Sequence, residues 1–71
     1  MSKEMRYLVF AVEYYRQAHG LTGVEVADLF ASQGLYKLVL DNYYLYHIES
    51  PNHMVAEIDR YIADHTIIDV Q

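Results

Sequence analysis

Seventy-one residues bound the chain to one small domain, of a size that buries only about 60% of its unfolded surface. Cysteine is absent, which excludes a disulfide scaffold and a thiolate metal site and fits a reducing, cytoplasmic setting. Ten acids against five bases leave a net charge of −5, the wrong sign for a protein held on phosphates.

The opening MSKEMRYLVFAV lacks the layout of a secretory signal. No run approaches the ~20 apolar residues of a membrane span, so no membrane role is expected. Breakers at Gly20, Gly23, Gly34 and Pro51 divide the chain into four segments.

The first helix is predicted over 2–19. Ser2 is its N-cap, and Glu4 suits the positive end of the helix. Met5, Leu8, Val9, Val12 and then Tyr15 or Arg16 form the inward stripe, flanked by Phe10 and Tyr14. Gly20 supplies a left-handed end. The second helix is predicted over 22–32. TGVE reads as a capping box, Thr22 with Glu25. Val26, Leu29 and Phe30 make its face, with Val24 and Ala27 beside it, and Gly34 ends it.

The third helix is predicted over 35–47. Leu35, Leu38, Val39, Asn42, Leu45 and Tyr46 share one side, with Leu35, Leu38, Val39 and Leu45 chiefly, and Tyr46 after them, assigned to the domain's own core. Tyr36, Leu40, Tyr43, Tyr44 and His47 lie around the other sides. YYLYHI would suit a strand by composition, but LYKLVLDN before it is helical by spacing and no turn signal intervenes. The fourth helix is predicted over 51–64, with Ser50 as N-cap and Pro51 at its first position. Met54 or Val55, Ile58, Tyr61 and Ile62 form its buried stripe, while Glu57, Asp59, Arg60 and Asp64 face water. The tail 65–71, with its TIIDVQ, is expected to be extended or a short strand. The expected fold class is all-α: a compact four-helix domain with short loops.

Catalytic chemistry finds little footing. His19, His47, His53 and His65 match no dedicated metal spacing. Ser50 lies near His53, but capping accounts for it. Glu57 and Asp59, two residues apart, point away from each other on a helix. HGLTG lacks the lysine and preceding strand of a phosphate loop. The expectation is no enzyme, no cofactor and no metal.

A helix-turn-helix regulator is the rival reading. VEVADLF, the Gly34 turn and the third helix have its outline. The second helix of such a unit would then offer Tyr36, Lys37, Asp41, Asn42 and Tyr43, with a single base among them. A recognition helix reads base edges with polar and basic groups, so nucleic acid is an unlikely partner.

The eight tyrosines and 54% hydrophobic composition point to protein contact instead. A helical domain this small hides one stripe per helix, not a full circumference. The third helix carries more apolar and aromatic surface than its own domain can cover. Tyrosine combines a large apolar ring with a polar tip and is favoured at interfaces. Tyr36, Leu40, Tyr43, Tyr44 and His47 are the candidate partner-contact residues. The partner would be a second copy, giving a homo-oligomer such as a dimer, another protein, or both.

The aromatic opening YLVFAVEYY, the block LTGVEVADLF and the closing MVAEIDRYI carry a family likeness from Tyr7 to Ile62. In them the chain resembles a family of short bacterial proteins known only as a domain of unknown function. Members of that family look like companions of small toxin-like proteins, some with ADP-ribosyltransferase-like folds. The resemblance implies an antitoxin-like or accessory role, and it supplies no catalytic residues. The tyrosine-dense DNYYLYHIESP is where this chain departs from the family pattern.

Overall fold

The computed structural model describes the backbone of residues 1–69 and the side chains of residues 1–65. The described residues form five helices: α1 (Lys3–His19), α2 (Gly23–Gln33), α3 (Leu35–Asp41), α4 (Tyr43–Ile48) and α5 (Pro51–Asp69). The all-α class stands as expected. No described helix is long and apolar enough to cross a membrane.

Local chemistry sets most of the helix ends. Ser2 accepts the Met5 N–H at 3.1 Å and caps α1. Thr22 and Glu25 exchange both bonds of a capping box at the start of α2. Ser50 accepts the His53 N–H at 3.3 Å, and Pro51 opens α5. Gly20 and Gly34 close α1 and α2 with φ of 64° and 68°, in the left-handed region that favours glycine.

Two expectations about the elements are corrected. The helix predicted over 35–47 is two helices, broken at Asn42 (φ −108°, ψ 20°). The Asn42 side-chain amide donates to the Leu38 carbonyl at 2.8 Å, and the Asn42 backbone N–H reaches the same oxygen at 3.1 Å. A short polar side chain that bonds back to the preceding turn competes with the helical ladder and bends it. The tail was expected to be extended or a strand. Through Asp69 it continues α5 instead, because no glycine or proline interrupts the helix after Pro51. Val70 and Gln71 lie outside the described residues.

The core is Leu8, Ala11 and Tyr15 of α1, Val26 and Phe30 of α2, Leu35 and Val39 of α3, Tyr46 of α4, and Met54 and Ile58 of α5. The α1 stripe therefore differs from the predicted one. Leu8, Ala11 and Tyr15 are buried and Val12 half-buried, while Met5 and Val9 are exposed. Helical spacing alone defines several overlapping stripes on so apolar a helix. Packing against the other helices selects one of them.

Phe30 sits at the centre of this core, fully buried and edge-on to Tyr15 with ring centroids 5.7 Å apart. Phe30→Ala should cost about 3–5 kcal/mol, comparable with the whole stability of a small domain. The expected outcome is loss of a cooperative thermal transition by circular dichroism. Val24→Ala, at a side chain left 72% exposed, should change stability by no more than about 0.5 kcal/mol.

Candidate functional site

Helix α4 is short and follows α3 directly after the break at Asn42. Tyr46 anchors it in the core at 8% exposure. With that one side chain fixed inward, the others of the same six residues point elsewhere. Tyr44, Leu45 and Ile48 are 68%, 59% and 56% exposed. Leu45 was expected in the core. Leu35, Val39, half-buried Asn42 and Tyr46 continue one helical stripe across the break, so Tyr46 takes the inward position and Leu45, one residue before it, falls outside.

The five candidate contact residues fall into two groups. Tyr36 and Leu40 lie one turn apart on α3. Tyr36 tilts against Phe30 at 5.4 Å, and Leu40 packs half-buried against the core. Tyr43, Tyr44 and His47 gather on α4. Tyr43 stacks on His47 with centroids 4.4 Å apart and planes 9° apart, and Tyr44 approaches the same imidazole at 5.5 Å. His47 Nδ1 lies 2.8 Å from the Tyr44 carbonyl and 3.1 Å from that of Tyr43. A carbonyl only accepts, so Nδ1 carries the proton and, in the neutral ring, Nε2 is the acceptor.

The aromatic contacts do not stop at α4. Tyr43 stands edge-on to Tyr7 of α1 at 5.6 Å, Tyr7 meets Phe10 at 5.7 Å, and Phe10 meets Tyr14 at 5.6 Å. A band of rings thus runs from α4 along α1. Val9 and Phe10 on this side are 58% and 43% exposed and line a shallow concavity of about 380 Å³. Sequence reading placed Val9 in the core stripe and Phe10 beside it. Both belong to the outer surface. The available signal was the width of the apolar face of α1, broader than one stripe can bury. Tyr7 keeps its hydroxyl buried without a hydrogen-bond partner, and burial followed by the neighbouring Tyr46 raises its pKa.

A second cluster joins α1 to α5. Asp59 accepts the Tyr15 hydroxyl at 2.6 Å through Oδ1 and meets His19 Nε2 at 3.0 Å through Oδ2. Asp59 was expected to face water, but it is half-buried and ties the end of α1 to the middle of α5. Glu57 is likewise half-buried, facing His53 and Arg60. No group of three or more His, Asp or Glu side chains is arranged to hold a metal among the described residues. His47, Glu49 and His53 form no such group.

Burial raises the pKa of Tyr15, reinforced by its hydrogen bond to Asp59 and by that carboxylate's charge. A tyrosine whose folded pKa exceeds its unfolded value contributes stability that is complete below about pH 10 and is lost as the pH rises. Urea unfolding should show falling midpoints above about pH 10. Tyr15→Phe should flatten that fall while lowering stability at neutral pH by about 1 kcal/mol.

No curated protein and no solved structure matches the chain. A family model does match, over residues 6–65, from the second turn of α1 to the exposed His65 of α5. The chain belongs to the family described as Protein of unknown function (DUF3791).

Proposed function

We propose that the chain is a small helical protein-interaction module, antitoxin-like or accessory in role. It binds a partner protein through the aromatic surface of α4 and the adjoining part of α3. The observation that carries this reading is the exposure of Tyr44, Leu45 and Ile48, each more than half open on one six-residue helix. Contiguous apolar side chains left open to water mark contact surfaces. The rings of Tyr43 and His47 beside them supply rigid contact area with polar edges. Tyr36 and Leu40 extend the surface along α3. The likeness to companions of toxin-like proteins favours a second protein as the partner, and a second copy of the chain is the alternative occupant.

The helix-turn-helix reading receives less support. Lys37, the one base of its second helix, is paired with Asp41 at 2.5 Å. That helix is only seven residues long. Docking into a major groove needs free cations for the flanking phosphates.

Tyr44→Lys combined with Ile48→Lys should leave the helical circular dichroism and the melting temperature nearly unchanged, because both side chains are outside the core. The same variant should lose co-purification with the product of a neighbouring toxin-like reading frame. Light scattering after size exclusion would report any self-association, which should fall together with it. A complex that survives both substitutions would remove α4 from the interface. A salt-dependent shift of a DNA probe would favour the regulator.

A further inference from the structure

Between α3–α4 and α5 lies a cleft made of two adjoining concavities, of about 270 and about 260 Å³. Asn42, Tyr46 and Glu57 line both. Glu49 and His53 stand at one end, Arg60 and Asp64 at the other. Three carboxylates therefore face one guanidinium and one imidazole. The cations hold their acid loosely. Arg60 lies 3.5 Å from Glu57 with its side chain 67% exposed, and His53 stands 3.9 Å from the same carboxylate. Glu49 and Asp64 pair with no cation among the described residues.

A solvated acidic face would account for the carboxylates alone. Tyr46 adds an independent observation. It is only 8% exposed and lines both halves of the cleft. The ring is buried, while the hydroxyl has no hydrogen bond among the described residues and opens into the cleft. Tyr46 and Glu57 line both halves of the cleft together, and burial, then the charge of Glu57, raises the Tyr46 pKa. Leu45 lines the same cleft while lying 59% exposed. The acidic cleft is thus continuous with the apolar face of α4. Its acids are strung along the cleft and do not converge in a metal-binding group. That layout fits an extended basic chain better than a single ion.

We propose that this cleft takes up an arginine-bearing basic segment of the partner protein. The proposal rests on the reading of α4 as the partner-binding face and states the chemistry of what binds there. The guanidinium groups lie against Glu49, Glu57 and Asp64, and one of them donates to the Tyr46 hydroxyl. Their aliphatic stems cover Leu45. Arginine suits the site better than lysine because its planar fork donates to two oxygens at once and is less strongly hydrated. The charge of −5 would speed the encounter with such a segment.

The test is a titration of the isotope-labelled chain with a capped Arg-Leu-Arg-Leu-Arg peptide, followed by backbone amide shifts. The largest shifts should fall on Asn42, Tyr46, Glu49 and Glu57. Glu49→Gln with Glu57→Gln should weaken binding by about five-fold or more, and Tyr46→Phe by about three-fold. Glu4→Gln with Asp28→Asn removes the same charge from α1 and α2 and should change the affinity by less than about two-fold. Equal weakening by both charge-removing pairs would reduce the effect to general attraction by an acidic chain and overturn the proposal. So would shifts centred elsewhere, or no binding. Glu49→Gln alone, at an exposed side chain without an internal partner, guards against a folding artefact in the double variant. If the peptide avoids the cleft while Tyr44→Lys with Ile48→Lys still abolishes partner binding, only the cleft assignment fails. If the partner ignores that variant, the reading of α4 itself fails.

Discussion

Every other helix packs against α1, and that single constraint shapes the rest of the molecule. One helix serving four neighbours needs apolar side chains over most of its circumference. Leu8, Ala11 and Tyr15 meet the central core. Ala11 is small and fully buried. Tyr7 and Tyr14 fill the side turned to α4 and α5, where Tyr7 meets Tyr43 and Tyr14 donates to Asn52 at 2.7 Å. The cost of this breadth is visible at its edges. Val9 and Phe10 are apolar beyond what the neighbours cover, and the Tyr7 hydroxyl is sealed without a partner.

The same constraint explains why polar links between helices are few and concentrated. Asp59 reaches both Tyr15 and His19, so one carboxylate fastens two side chains of α1 to α5. Most of the remaining charge pairs are local to one helix. Arg16 holds Glu13 within α1, at 2.6 Å. That bond, with a second from Gln17, lowers the Glu13 carboxyl to about 2. Exposed pairs of this kind contribute little to stability. Packing, with the Asp59 link, carries the tertiary structure.

What was legible in the sequence was what depends on a few neighbouring residues. Ser2, Thr22 with Glu25, Ser50 with Pro51, and the glycines Gly20 and Gly34 all act within four residues of where they stand. Their roles follow from local chemistry. The break at Asn42 is local too, but it turns on the side-chain amide joining the backbone N–H on the Leu38 carbonyl, and spacing does not decide that. Leu8, Tyr15 and Tyr46 lay on the expected inward sides, but which of their apolar neighbours join them was not legible. Val9 and Leu45 fit an apolar stripe, and only the placement of the other helices leaves them in water. The tyrosine-rich surface could be named from composition. Its extension through Tyr7 to Phe10 could not, because it joins side chains 36 positions apart, Tyr7 to Tyr43. Nor could the pairing of Asp59 with Tyr15, which are 44 positions apart.

Gly34 both ends α2 and begins α3, with no linker residue between them. The corner between these helices is thus closed by a single backbone conformation. Closing a short loop costs little chain entropy, so Phe30 and Leu35 meet without a long search. Chains whose native contacts lie close in sequence fold in microseconds to milliseconds. The α2–α3 corner is the part of the fold whose packing closes the shortest stretch of chain.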